Sequence, residues 1–186
     1  KDPFWFIRNF DNEEFVHVAF PIIKKLFKIP KKAKSSIICK PIKNCSGYFN
    51  NLSLKIAIDT NQTSDKQDIV GIIGHEVRHL YQALLITKSL KSEFNWLLPQ
   101  KYKIHLTKKD IKLSDKLVKA TIKYPLFPKA DNKYFNNFLE VDARNFEIQA
   151  KLVYDYHTRH LSELFSYVDT EMVDIERFNN KVNFYN

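Results

Sequence analysis

Apolar residues recur at helical spacing along residues 12–28, "NEEFVHVAFPIIKKLFK", and predict a helix there. Pro21 is expected to kink or divide it, because its ring removes one backbone hydrogen bond and crowds the preceding turn. Alternating, β-branched stretches follow at residues 35–40 ("SSIICK"), 47–51 ("GYFNN") and 53–59 ("SLKIAID"), and read as short strands. The polar breaks "KPIKNCSG" and "TNQTSDKQ" read as turns. In the second break, Ser64 followed by Gln67 has capping-box spacing, and Asp65 and Asp68 suit a helix N-terminus. A helix is therefore predicted from about residue 65 to 87.

Residues 88–133 are mixed, with helical periodicity in "SEFNWLLPQKY" and "TKKDIKLSDKLVKATIKY" and a proline-broken loop at "YPLFPKADN". A long helix free of Gly and Pro is predicted over residues 132–164, with a short one around residues 171–178. There is no internal repeat. The pattern describes a single α+β domain over residues 1–186, with additional N- and C-terminal helices and a basic insertion at 88–133.

At 186 residues, 44% hydrophobic and 27% charged, the chain has the composition of a soluble globule with a full core. Three glycines exclude Gly-rich phosphate loops, and no apolar run is long enough to span a bilayer. Cys39 and Cys45 lack metal-pair spacing and read as reduced thiols, so the expected compartment is cytoplasmic. The start at Lys1 rather than Met is compatible with a removed leader. The net charge of +9 raises nucleic acid as a partner. Lysines crowd residues 24–43 and 101–133, but only five arginines accompany them and no aromatic–basic motif appears. A solvated lysine surface is the favoured reading.

The chemistry concentrates in "DIVGIIGHEVRHLYQALL", residues 68–85. On a helix, His75 and His79 share one face about 6 Å apart along the axis, and both imidazoles can meet one ion. Glu76 is rotated by about 100°, away from a shared coordination sphere but within reach of a water beside it. The apolar run before His75 predicts a deeply buried helix, where two histidines and a glutamate are costly unless paired or metal-bound. Gly71 and Gly74 each lower helix propensity by about 1 kcal/mol, and their spacing suggests close approach of a neighbouring backbone. Arg78 and Gln82 have the spacing of an i, i+4 pair. A third ligand cannot be the histidine ten residues after the first, because position 85 is Leu. A carboxylate from "NNFLEVDARNFEIQAKL", residues 136–152, is the alternative.

These two motifs resemble the glutamate zincins, most closely small bacterial and phage-borne ImmA/IrrE-type peptidases. There a second helix reads roughly Glu-x-acid-Ala-x-x-Phe-Ala; this chain has Glu140, Asp142, Ala143 and Phe146, with Glu147 in place of the last Ala. The resemblance covers residues 59–91 and 138–151. It implies a zincin-like fold: a small twisted sheet packed on the HExxH helix, crossed by a second, Glu-bearing helix. It implies Zn2+ held by His75, His79 and Glu140, with Glu76 as catalytic base of a hydrolase (a metalloprotease) acting on peptide or protein. Where the family often has an acid or amide four residues after the third ligand, this chain has Arg144, so Asp142 or Glu147 becomes the expected orienting partner of a ligand histidine. Zincins commonly draw an oxyanion donor from a late segment, which makes Tyr154, Tyr156 and His157 candidates.

Asp142 competes with Glu140 for the ligand role, but the two lie about 200° apart on a helix and cannot both face one ion. Glu140 matches the family position and shares its face with the small Ala143. The strand at 53–59 is expected to pair with extended substrate backbone. The alternative function is a zincin-like metal-binding interaction module without proteolysis, associated with a regulatory or mobile-element partner or with nucleic acid.

Overall fold

A computed structural model of the chain describes residues 10–29, 33, 35–63, 65–89, 108–122 and 132–164. Helix α1 spans Asn12–Leu26 and strands β1, β2 and β3 span Ser36–Cys39, Gly47–Asn50 and Lys55–Ile58. Helices α2 (Lys66–Ser89), α3 (Lys108–Ile122), α4 (Asn132–Phe135) and α5 (Phe138–Leu164) follow. The class is α+β. No helix among the described residues is long and apolar enough to cross a membrane. The helix expected at 171–178 lies outside the described residues.

Asp11 caps α1: its carboxylate accepts from the backbone N–H of Glu13 and Glu14, each at 2.9 Å, and Glu14 reaches back to the Asp11 N–H. Pro21 does not divide this helix. The carbonyl that loses its donor belongs to His17, and both residues lie on the exposed side, where water replaces the missing bond.

The three strands form one sheet in the order β1-β3-β2, with β1 parallel and β2 antiparallel to β3. Strand β3 is therefore central and paired on both sides, which overturns the expectation that it pairs with substrate. A strand accepts another chain only along an unpaired edge. Among the described residues the outer edge near α2 belongs to β2.

Helix α2 is the hub, touching α1, α3, α5 and both β2 and β3. Its residues Ile69, Val70, Ile73, Val77, Leu80 and Leu84 are fully buried against Phe15, Ile23, Ile56 and Ile58. Asp65 caps it by accepting from the Gln67 N–H at 2.8 Å; Ser64 lies outside the described residues. Helix α3, inside the segment expected as a basic insertion, buries Leu117 and Ala120 against Leu85 of α2 and Leu139 of α5. Lys108 and Lys112 stay exposed on its outer side.

The single helix expected over 132–164 is broken. Asn137 leaves the helical path to cap α5, its Oδ1 accepting from the Leu139 N–H at 2.9 Å, while its Nδ2 donates to the Ala120 carbonyl at 3.1 Å. Asparagine side chains compete for backbone groups in this way, and α4 ends before it. Glu140 is thereby placed in the first turn of α5, where the helix dipole favours a carboxylate.

Helices α2 and α5 cross at Gly74. A Cβ there would stand 2.6 Å from the Ala150 Cβ and 3.2 Å from the Phe146 carbonyl oxygen, so the two backbones approach as the glycine spacing suggested. Gly71 differs: a Cβ there would overlap the Lys151 side chain and lie 3.1 Å from Glu147 Cγ, so it makes room for side chains. Gly74→Ala is expected to lower stability by about 1–2 kcal/mol, because overpacking outweighs the gain in helix propensity. Gly71→Ala should be near neutral, since flexible side chains can shift. Urea midpoints measure both. Equal stability of the two variants would contradict the crossing geometry.

Candidate metal centre

The turns of α2 bring His75 and His79 to one side, and the first turn of α5 lays Glu140 across them. His75 Nε2 and His79 Nε2 are 3.1 Å apart. Glu140, only 1% exposed, holds Oε2 3.5 Å from His75 Nε2 and Oε1 3.4 Å from His79 Nε2. One ligand atom from each of the three residues lies within 4.8 Å of the others. Ligand atoms sharing a tetrahedral cation through bonds of about 2.1 Å stand about 3.4 Å apart, so these separations suit a zinc-sized ion.

Hydrogen bonding settles which nitrogen of His79 carries a proton. Gln82 Nε2 donates to the Leu139 carbonyl at 2.9 Å and to Asp142 Oδ2 at 2.8 Å. These two acceptors fix the amide orientation, so Gln82 Oε1 is the atom 2.9 Å from His79 Nδ1. An oxygen there requires Nδ1–H, and the lone pair of His79 falls on Nε2, facing His75 and Glu140. Asp142 is held in turn by Arg78, whose Nε and Nη2 donate to its two oxygens at 2.7 and 3.0 Å. The Arg78 guanidinium lies 3.8 Å from the centroid of Phe146. Arg78 thus pairs across to α5 and not with Gln82, as its spacing had suggested, because a buried guanidinium takes the planar two-oxygen partner.

His75 Nδ1 faces Glu147 Oε2 at 3.5 Å, an ionic contact without hydrogen-bond geometry, and is a buried atom with no hydrogen-bond partner. Arg144 turns away, donating to the Phe135 carbonyl. Both acids named as orienting partners therefore reach the site, by different routes: Glu147 toward His75 directly, Asp142 toward His79 through Gln82. Sequence reasoning placed Gln82 only as a partner of Arg78 and missed its contact with His79. Its only signal is a polar residue three positions after His79, immediately before the apolar run "ALLI".

Glu76 is 6% exposed and lies beneath β2. A Cβ on Gly47 would stand 2.6 Å from Ile72 Cγ2 and 3.3 Å from Glu76 Cγ, so the glycine leaves room for α2 to press both side chains against the strand. The Asp59 N–H donates to the Ser46 carbonyl at 2.8 Å, which sets the antiparallel ladder so that the backbone groups of Gly47 and Phe49 face outward. Burial pushes the Glu76 carboxyl up to about 7, opposed by the positive charge of His75 and by the N–H of Phe49.

Tyr154 and His157 do not join the site. They lie on the same α5 as Glu140, about 21 and 25 Å further along its axis. Tyr154 packs edge-on against Phe15 of α1, with ring centroids 5.9 Å apart. Tyr156 meets His157 edge-on at the same distant end. The late segment that supplies the oxyanion candidates runs along α5 away from Glu140. His17 is exposed, and His105 lies outside the described residues.

No protein-family model, curated protein or solved structure matches the chain.

Burial acts to lower the His75 pKa, but the carboxylates of Glu140 and Glu147 outweigh it and raise the group to about 9. Burial and the charge on His75 lower His79. At neutral pH the proton on His75 Nε2 lies toward the His79 lone pair, where a cation would enter. Zinc titrated at pH 7 is therefore expected to displace about one proton, with affinity rising as pH increases toward 9. Calorimetry in buffers of different ionisation enthalpy measures the release; binding with none would contradict the charge assignment.

Proposed function

We propose that the chain is a zinc-dependent peptidase of the zincin type, with His75, His79 and Glu140 as ligands and Glu76 as general base. The observation that carries this reading is the convergence of the two Nε2 atoms and the Glu140 carboxylate at 3.1–3.5 Å, with Glu76 on the adjacent helical position. Two imidazole nitrogens and one carboxylate leave one tetrahedral position open, the donor set of a catalytic zinc and not of a structural one. The fixed lone pair on His79 and the near-complete burial of Glu140 suit the same ion. A zinc ion held there supplies a water of lowered pKa and a charge that polarises a carbonyl.

The chain's own groups then have separable tasks. Glu76 takes a proton from the water as it adds to the peptide carbonyl, and returns it to the departing amine nitrogen. Its raised pKa, near neutrality, suits both transfers. The outward carbonyls of Gly47 and Phe49 on β2 offer an extended peptide acceptors to pair with beside Glu76, which itself takes the Phe49 N–H. Such pairing binds backbone without reading side chains. The basic surface of α3 lies apart from these tasks.

Glu76→Gln is expected to keep near-stoichiometric zinc while hydrolysis of a peptide library falls roughly 10²–10⁴-fold. Glu140→Ala should lose the ion, whereas Asp142→Ala should weaken it by roughly 10–100-fold, as for an orienting partner. Undiminished cleavage by zinc-loaded Glu76→Gln would remove the base assignment. Loss of zinc from Asp142→Ala but not from Glu140→Ala would reassign the third ligand.

A further inference from the structure

His79 is oriented by a neutral amide, but the group behind His75 is a carboxylate that needs support of its own. Glu147 Oε1 accepts from Lys151 Nζ at 3.2 Å while its Oε2 faces His75. Lys151 Nζ in turn lies 2.9 Å from Asp68 Oδ1 in the first turn of α2. Asp68 and His75 are two turns apart on α2, and Glu147 and Lys151 one turn apart on α5. The four residues thus close a ring of charge across the helix crossing.

Gly71 lies inside that ring. Its Cβ would overlap Lys151 and press on Glu147 Cγ, so the absent side chain is the space that the lysine stem occupies. Two independent features, the ion-pair chain and the glycine beneath it, converge on the same side chains.

We propose that Lys151 is a positioning residue of the metal centre, holding Glu147 against His75 so that His75 presents Nε2 toward Glu140 and His79. The proposal rests on the zinc reading above. Without Lys151, Glu147 would keep neither its orientation nor its charge balance, since Glu76, Glu140 and Glu147 crowd the same few ångströms around His75. Arg144, one turn after Glu140, cannot serve, because a guanidinium only donates and this one is directed at the Phe135 carbonyl. The Lys151 side chain is 29% exposed and its Asp68 partner 52%, so as a surface ion pair the chain would add little to fold stability. Its consequence is expected at the ion.

Zinc affinity of the full chain, measured by competition with a chromophoric chelator, tests this. Lys151→Met should weaken binding roughly tenfold and Glu147→Gln roughly 10–100-fold, as outer partners of a ligand histidine do. Lys151→Arg, which keeps the charge, should recover most of the loss. The double variant Lys151→Met/Glu147→Gln should be no weaker than Glu147→Gln alone, because the lysine acts through the glutamate. Losses that multiply in the double variant would overturn the proposal, as would wild-type affinity in Lys151→Met. If Glu140→Ala abolishes binding while Lys151→Met leaves it unchanged, this inference alone fails. A wild-type chain that binds no zinc overturns both it and the functional reading.

Discussion

Burying the Glu140 carboxylate between two imidazoles is the costly arrangement around which the rest of the structure is organised. A carboxylate so far from water is stable only with a positive partner beside it. The partner cannot be His79 in its neutral form, because Gln82 turns the lone pair of that ring toward Glu140. Among the described residues, the proton on His75, or a cation in its place, supplies that positive charge. Everything nearby limits movement out of this arrangement: the Asn137 cap that starts α5 one turn before Glu140, the Arg78–Asp142 clamp and the close crossing at Gly74.

That organisation separates two kinds of polar burial. Arg78 and Asp142 satisfy one another with two good hydrogen bonds and a stacked ring, and the pair is closed. His75, His79 and Glu140 instead converge on a shared point. Closed networks of this sort fix helix register, whereas convergent ones concentrate chemistry. Glu76 belongs to the second kind: it is buried, its pKa is raised to about 7, and it takes the Phe49 N–H on the outer side of β2.

How much of this was legible in the sequence follows from how local each feature is. The histidine pair and Glu76 lie within five consecutive residues, and helical spacing alone puts them in place. The short strands and α1, α2 and α3 showed through periodicity for the same reason. Glu140 came into view only through resemblance, since nothing in residues 75–79 indicates which distant carboxylate approaches. The contact of Gln82 with His79 was missed because the amide's role depends on the Leu139 carbonyl and Asp142, both on another helix. Asn137 was read as part of a helix because its break depends on Ala120. Pro21 does not divide α1, since the bond it removes faces water. Strand order carries no local signal, so β3 was mistaken for an edge. Tyr154 and His157 were oxyanion candidates through resemblance alone, and the unbroken helix over "FEIQAKLVYDYHT" carries them away from Glu140.

The central claim is that the Glu140–His75–His79 cluster holds a zinc ion. Zinc-edge X-ray absorption on the loaded full chain tests it most directly. The account predicts a shell of about four light atoms at about 2.0–2.2 Å, with outer-shell scattering from two imidazole rings. Sulfur at about 2.3 Å, which would implicate the free thiols of Cys39 or Cys45, or a shell without imidazole, would contradict it.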